Sequence, residues 1–446
     1  MRFLGKLLAI AALGASLAGC MQTRPAPVAA CDYRAIPLSV DPGRPQWSTR
    51  PQVLGVDDRF ATELRTVVAQ RGPGKPAPQF LVLSGGSQHG AFGAGFFHGL
   101  KSIPDYDVVT GVSTGSLQST FLFLANRAPP KDRTYGWVDG PLAGSITPGA
   151  SSAGDLALAY SIDKEGDVAT PSKGGIIGGL SRGALATFGP LEARLQALIS
   201  HDTLKQIAEE QAKGRKLFVG TVNLDDGKGY AIDLTELAGR VDQPGWEGRT
   251  ATLQSCYIQA LVASSSVPPS AYPVTLTIAG DDGPRTNMYM DGGARFGVFL
   301  EQIVQSLGGN VPRDAKVTLI VNGILYSEPW NADGTPMLKW SSLTVAARAV
   351  SLLENQVYRF SVASAEQFGI DHGGLAMAFI SNEGIPGGED PDKHVFNGKT
   401  CEAWNAIDNL AKPLEFHPLY MGCLSDYGRV RGVAGQWNRV VGGATP

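Results

Sequence analysis

A serine between two glycines is the first feature of the sequence that could do chemistry. Residues 111–115 read GVSTG, which fits the pattern G-x-S-x-G that exposes a serine hydroxyl on a tight strand-to-helix turn. Residues 179–183, GLSRG, fit the same pattern, so the pattern alone does not choose between them. Only the first copy follows a strand-like segment, DVVTGV, and precedes an apolar helical one, LQSTFLFLAN. The context predicts Ser113 as a nucleophile and Ser181 as a loop serine.

A glycine-rich stretch, residues 84–95 (SGGSQHGAFGAG), follows another strand-like segment. It is not a P-loop, because Ala91 and not Lys follows the G-x-x-x-x-G spacing, and it contains no dinucleotide-binding G-x-G-x-x-G. The backbone N–H groups of Gly85, Gly86 and Ser87, at the start of a helix, would suit an oxyanion hole. A tight strand-to-helix turn with glycines for close packing is the alternative.

A serine hydrolase also needs a base, and two kinds of candidate are present. Asp291 ends a short strand-like segment in MDGGARFGVFL, although D-G-G is also an ordinary turn sequence. The chain has six histidines, of which His372 or His394 could complete a Ser-His-Asp triad. The residue pattern alone leaves both kinds of base open.

Taken together, the order and spacing of these three motifs resemble the patatin-like phospholipase family. The resemblance covers about residues 79–300 and includes the segment ASSSVPPSAYP, which begins at Ala263. The residues that carry it are Gly85, Gly86, Ser87 and Gly90 of the loop, Gly111, Ser113 and Gly115 of the turn, and Asp291, Gly292 and Gly293 of the last motif.

The resemblance implies an α/β fold of three layers, with a mainly parallel central sheet between helices. It also implies a Ser-Asp dyad without histidine, in which Ser113 attacks an ester carbonyl and Asp291 accepts the proton. The oxyanion hole would be formed by the N–H groups of Gly85, Gly86 and Ser87. The substrate would be a lipid ester such as a glycerophospholipid, and no metal or other cofactor is expected.

The glycine loop departs from the family pattern at two positions. Ser87 stands where a third glycine is usual, and His89 stands where the family has Arg or Lys. Backbone N–H groups are the donors, so Ser87 can still serve if its backbone dihedrals permit. An unprotonated His89 would weaken the positive charge at the helix start and reduce a preference for anionic substrates.

The N-terminus has the layout of an export signal. Residues 1–19 combine Arg2 and Lys6 with an apolar run that is too short to span a bilayer. The sequence LAGC at 17–20 resembles the lipobox of bacterial lipoproteins, which predicts lipidation of Cys20, and Met21 in place of Asp favours the outer membrane. A plain signal peptide with an incidental Cys20 is the alternative. We expect a lipid-anchored protein of the bacterial cell envelope that faces the periplasm.

The formal net charge of −3 lacks the basic excess that nucleic-acid binding needs, so no nucleic-acid partner is expected. A lipid-binding lipoprotein that kept the fold but lost turnover remains a non-enzymatic alternative. Four cysteines follow Cys20, an even number in an exported chain, and they allow three complete pairings. Cys401 and Cys423 are predicted to form a local disulfide, whereas Cys256 could equally be a small buried core residue.

The remaining pattern predicts four regions. After the signal, residues 20–78 are expected to form the lipidated N-terminus, a Pro-rich tether at 21–55 and a short helix at 56–70. The catalytic domain is expected at 79–330, with an irregular functional loop or cap at 127–188. Residues 331–446 are expected to be a helical extension that packs on it, and apolar spacing of three and four predicts one long amphipathic helix at 341–360.

Overall fold

The structure is a computed structural model of the 446-residue chain. It describes residues 23–27, 31–38, 77–174, 183–279, 283–298, 315–326, 340–372 and 374–442, together with 64, 66–67, 69–70, 178–179 and 336. The signal peptide, Cys20 and Ser181 lie outside the described residues. Of the predicted helix at 56–70, positions 64, 66–67 and 69–70 are described, and they are helical.

One mixed sheet of ten strands organises the described chain. The strands and their bounds are β1 (Ala35–Pro37), β2 (Gln79–Leu83), β3 (Val108–Val112), β4 (Thr170–Pro171), β5 (Ala186–Thr187), β6 (Lys216–Asn223), β7 (Gly229–Asp233), β8 (Val274–Ile278), β9 (Arg285–Asp291), β10 (Lys316–Val321), β11 (Leu375–Phe379), β12 (Val395–Phe396), β13 (Lys399–Thr400) and β14 (Arg439–Val441). The main path runs β1-β7-β6-β3-β2-β10-β11-β14, and β9 pairs with both β6 and β8.

The centre of the sheet is parallel. Strands β6, β3, β2, β10 and β11 run in one direction, and the edges β1, β7 and β14 add antiparallel pairs. The carboxyl ends of the parallel strands therefore lie along one edge, where residues that follow neighbouring strands meet.

Helices cover both faces of this sheet. They are α1 (Gly90–Gly99), α2 (Thr114–Phe123), α3 (Ser152–Ala159), α4 (Gly189–Leu198), α5 (His201–Ala212), α6 (Leu234–Ala238), α7 (Thr250–Ser265), α8 (Ser342–His372), α9 (Cys401–Asp408) and α10 (Pro418–Ala434). Strand β2 shows why two layers form: Leu81 and Leu83 belong to one buried cluster, and Phe80 and Val82 to the other. The predicted α/β architecture, with a mainly parallel sheet between helices, is confirmed.

Helix α10 packs on α1 because glycines let the two backbones approach each other. A Cβ atom built on Gly95 would lie 1.8 Å from the backbone oxygen of Ser425, and one built on Gly428 would lie 2.2 Å from that of Phe92. Any larger residue at either position would push the helices apart. The contact fixes α1, and with it the glycine loop from which α1 begins.

Three details differ from the sequence-based expectation. Part of the predicted tether belongs to the fold, because β1 pairs with β7 and Cys31 forms a disulfide with Cys256. Cys256 is therefore a bridge residue and not simply a small core residue. The predicted C-terminal helical extension also contributes two strands, β11 and β14, which extend the central sheet. The predicted Cys401–Cys423 disulfide is confirmed.

Within the part of the chain that the structure describes, no helix is both long enough and apolar enough to cross a membrane.

Candidate active site

Ser113 lies on the sharp turn between β3 and α2. Its φ of 54° and ψ of −127° form a strained conformation that a residue with a side chain rarely adopts. The two motif glycines make the turn possible: a Cβ atom on Gly111 would lie 2.4 Å from the carbonyl oxygen of Gly115, and one on Gly115 would lie 2.5 Å from that of Leu83. This is the geometry expected of a nucleophile elbow, which presents its serine above the end of the sheet.

A serine-rich segment at the end of α7 holds the backbone of the nucleophile. The N–H of Ser113 donates to the carbonyl oxygen of Ser264 at 3.0 Å, and the Ser264 hydroxyl donates to the carbonyl oxygen of Gly220 in β6. The carbonyl oxygen of Ser113 accepts from the hydroxyls of Ser116 (2.6 Å) and Ser265 (3.1 Å). These bonds stabilise the strained turn.

Asp291 reaches the same place from β9. Its N–H donates to the carbonyl oxygen of Ser266 at 2.9 Å, and its Oδ1 accepts the N–H of Gly293 at 2.6 Å. The side chain is buried, and its Oδ2 has no hydrogen-bond partner of standard geometry in the structure as described. The Ser113 hydroxyl is near enough to Asp291 to lower the carboxyl pKa, which opposes the effect of burial. The structure thus places the Ser113 hydroxyl group next to the Asp291 carboxyl group.

Burial dominates the electrostatics of this carboxyl group. The pKa of Asp291 is raised from 3.8 to about 7, mainly by burial, with a smaller contribution from the nearby carboxyl groups of Glu354 and Glu415 and against the lowering effects of Ser113 and Gly293. A carboxylate with a pKa near 7 is a far better proton acceptor than an ordinary one, and it still ionises at neutral pH.

The glycine loop lies directly beside Ser113. A Cβ atom on Gly85 would lie 3.0 Å from the Cβ of Ser113, and one on Gly86, whose φ is 143°, would lie 2.4 Å from the backbone of Asn322. Among the described residues, no hydrogen bond engages the N–H groups of Gly85 or Gly86. Two backbone N–H groups therefore lack a protein acceptor in the loop that leads through the 3₁₀ turn Ser87–His89 into α1.

Neither Ser87 nor His89, the two residues that depart from the family pattern, brings a positive charge to the loop. Ser87 adopts a positive φ of 50°, and its hydroxyl donates a short hydrogen bond to the carboxyl group of Glu415. Burial lowers the pKa of His89 to about 4, even though its Nδ1 lies 3.2 Å from the carbonyl oxygen of Gly86, so the ring is uncharged at neutral pH. The loop accordingly offers dipoles and no fixed positive charge.

An apolar cavity of about 870 Å³, its open mouth included, extends from Ser113. The segment at 127–188 forms part of its wall, and it is not irregular throughout as predicted, because it contains α3, β4 and β5. Its apolar lining includes Leu117, Phe121, Leu156, Phe188, Leu195 and Met421. Arg194 also lines it but is committed to Asp139, at 2.7 Å, and lies 3.7 Å from Asp167. The cavity is suited to an uncharged hydrocarbon chain.

The histidine alternatives find no support at this site. His394 is buried between Glu389, 2.7 Å from Nδ1, and Asp426, 3.0 Å from Nε2, and these two carboxylates raise its pKa against the effect of burial. A histidine held by two carboxylates is a structural ion-pair centre. The side chain of His372 lies outside the described residues.

Sequence reasoning missed several residues around the dyad. The serines at 264–266 were part of the quoted ASSSVPPSAYP segment, but their backbone contacts with Ser113 and Asp291 depend on the tertiary structure. Glu354, Glu415 and Tyr358 come from the C-terminal region, where no motif marks them. The apolar spacing at 341–360 does predict helix α8, but Val350, Leu353 and Phe360 of its apolar stripe are exposed, so the pattern did not indicate the side that carries Glu354 and Tyr358.

The family profile described as "Patatin-like phospholipase" matches residues 81–304, which is half of the chain. The chain therefore belongs to the patatin-like phospholipases, a family of lipid acyl hydrolases. No curated protein sequence matches it. Among solved structures, it is similar to "Crystal structure of VipD from Legionella pneumophila", with 11% identity and a TM-score of 0.29. That alignment covers 81% of this chain and 66% of the VipD chain, slightly less than two thirds of its length.

The raised pKa of Asp291 predicts a pH-dependent gain in stability for Asp291→Asn. The folded protein binds the proton more tightly than the unfolded chain, so this group's contribution is full below pH 4 and is lost as pH rises through about 7. A rise from 3.8 to about 7 corresponds to at most about 4 kcal/mol. The variant, which does not titrate, should gain stability relative to the wild type between pH 4 and pH 8. Denaturant unfolding at both values measures this, and a difference independent of pH would contradict the burial argument.

Proposed function

We propose that this chain is a serine lipid acyl hydrolase with Ser113 as nucleophile and Asp291 as its base. The observation that carries the proposal is a buried carboxylate oxygen, Asp291 Oδ2, without a hydrogen-bond partner of standard geometry beside a serine in a strained elbow. A buried polar atom without a hydrogen bond destabilises the fold, and such atoms are found at functional sites.

The proposed reaction has two stages. The Ser113 oxygen attacks the carbonyl carbon of the ester while the serine proton passes to Asp291. The carbonyl electron pair moves to the carbonyl oxygen, which accepts hydrogen bonds from the N–H groups of Gly85 and Gly86. Collapse of this intermediate expels the alcohol, which takes the proton from Asp291 and leaves an acyl-serine. Water then attacks the acyl carbon and gives one proton to Asp291. The bond from the acyl carbon to the Ser113 oxygen breaks, this oxygen takes the proton back from Asp291, and the free acid leaves.

The cavity supports a lipid ester as the substrate. An acyl chain laid along its apolar wall would gain about 0.8 kcal/mol for each buried CH₂ group. The glycerophospholipids to which the family name points fit this requirement through their acyl chains. The Ser-His-Asp alternative is disfavoured by the two carboxylates that hold His394.

A catalytic test uses the two matched serine motifs. Ser113→Ala should abolish phospholipid hydrolysis and labelling by a fluorophosphonate probe, and Asp291→Asn should remove most hydrolysis. The double variant should be little worse than either single one, because the two residues act as a unit. Released fatty acid, measured by mass spectrometry on protein without the signal peptide, provides the readout.

Ser181→Ala is the control, since it changes the same pattern at the other site and should keep the rate within about threefold. If His394→Ala proved as damaging as Asp291→Asn in a folded protein, a triad would replace the dyad. A wild type that hydrolyses no ester and takes no label would favour the non-catalytic lipid-binding lipoprotein.

The pH dependence of the reaction tests the base. Asp291 accepts a proton only when ionised, so kcat/KM for 4-nitrophenyl butyrate should rise about tenfold per pH unit below 7 and level off above it. Glu354→Gln removes a neighbour that raises the Asp291 pKa and should move this inflection to lower pH. A profile that stays flat between pH 5 and pH 9 would argue against Asp291 as the base.

We also propose that the protein is held on the envelope membrane, at the outer membrane facing the periplasm, by a lipid on Cys20. The first described residues support a short link, because Arg24 already pairs with Asp225 on the folded domain. Cys20→Ala should release soluble protein or block processing, and metabolic labelling with an alkyne fatty acid should mark only the wild type. Equal membrane retention of both forms would rule out the anchor.

A further inference from the structure

Tyr358 of helix α8 is surrounded by four glycines from three parts of the chain. A Cβ atom on Gly85 would lie 2.0 Å from the tyrosine hydroxyl oxygen, and one on Gly323 would lie 2.9 Å from two of its ring carbons. Cβ atoms on Gly293 and Gly297 would lie 3.3 Å from the hydroxyl oxygen and 3.1 Å from the ring, respectively. A side chain at Gly85 or Gly323 would displace the phenol, so the surrounding backbone is shaped to admit it.

The hydroxyl group of Tyr358 lies close to the two proposed catalytic residues. The Cβ position of Gly85 that lies 2.0 Å from the tyrosine oxygen is also 3.0 Å from the Cβ of Ser113. The Cβ position of Gly293 lies 3.0 Å from Oδ1 of Asp291 and 3.3 Å from the same tyrosine oxygen. The hydroxyl of Tyr358 therefore sits beside the nucleophile, the base and the glycine loop at once.

The structure favours the neutral form of this phenol. Tyr358 is only 4% exposed, and burial raises its pKa well above 10, with Glu354 and Asp291 adding to the effect. It is a poor acid for proton transfer, but it is a neutral hydrogen-bond donor held in a buried position. Such donors are most effective when negative charge forms next to them.

We propose that Tyr358 is a further catalytic residue, whose hydroxyl donates a hydrogen bond to the ester carbonyl oxygen as Ser113 adds to the carbon. The inference rests on the proposed acyl hydrolase function. In this step the bond from the serine oxygen to the carbonyl carbon forms, the carbonyl electron pair moves to the oxygen, and the serine proton goes to Asp291. Tyr358 keeps its own proton and contributes only the hydrogen bond, alongside the N–H groups of Gly85 and Gly86.

The variant Tyr358→Phe tests this with little change in shape. Loss of one oxyanion donor should lower kcat for 4-nitrophenyl butyrate about 10²-fold while KM stays within about threefold. Phosphonylation of Ser113 by a fluorophosphonate should slow in the same proportion, because its transition state also places charge on an oxygen. The control is Tyr257→Phe, which removes another buried hydroxyl, bonded to Thr120 at 2.8 Å, and should leave kcat within about twofold.

A kcat for Tyr358→Phe equal to that of the wild type, or higher than it, would overturn the proposal, and a higher one would make the tyrosine an obstruction. If the variant does not fold, 3-fluorotyrosine incorporated at position 358 keeps the ring and strengthens the donor, so kcat should rise. An unchanged kcat would then overturn the proposal. Failure of the proposed function is distinguishable, because the wild type itself would neither hydrolyse ester nor take the probe.

Discussion

The candidate site depends on one three-residue segment, residues 264–266, that holds Ser113 and Asp291 together. The carbonyl oxygen of Ser264 accepts the N–H of Ser113 at 3.0 Å, and that of Ser266 accepts the N–H of Asp291 at 2.9 Å. Ser113 and Asp291 follow different strands and are far apart in sequence. Because backbone hydrogen bonds fix position within a few tenths of an ångström, the separation of the two side chains is set by the fold and not by the side chains themselves. Helix α7, which ends in this segment, is buried along most of its C-terminal half and cannot shift without disturbing the core.

Holding the dyad in this way has an energetic cost that the rest of the domain must offset. Ser113 occupies a strained conformation, which costs on the order of 1–3 kcal/mol. Asp291 carries a buried oxygen without a standard hydrogen bond, and its ionised form is disfavoured by burial. The two apolar clusters on opposite faces of the sheet, and the close packing of α10 on α1, supply the opposing stabilisation. Backbone strain at Ser113 and a disfavoured negative charge on Asp291, its neighbour in space, are features that cluster at functional sites.

Sequence reasoning reached the parts of this arrangement that local rules control. The elbow needs glycines two residues before and after its serine, so Ser113 could be found from spacing and context. Short-range contact also made the Cys401–Cys423 disulfide predictable, because the two cysteines are only 22 residues apart. Cys31 and Cys256 are separated by 225 residues, and no local pattern relates them. Long sequence separation also explains why the pattern predicts a tether where β1 lies. The surrounding sequence is rich in Pro, and the strand that pairs with β1, β7, lies about 200 residues later.

The charges around the dyad explain why residues outside the family match matter here. His89, which stands where the family has a cation, is uncharged, and Glu415 binds the loop through Ser87. Arg194 is the cation among the described residues of the cavity wall, and it is paired with carboxylates. Since these groups supply no unpaired cation, the proposed mechanism assigns the stabilisation of negative charge on a substrate oxygen to N–H and O–H dipoles. Hydrogen bonds weaken steeply as the distance grows and the angle departs from linear. The proposed chemistry therefore needs the glycines that allow close approach, as the packing does. The C-terminal region supplies Glu415 and Tyr358 and thereby contributes side chains next to Ser87, Ser113 and Asp291.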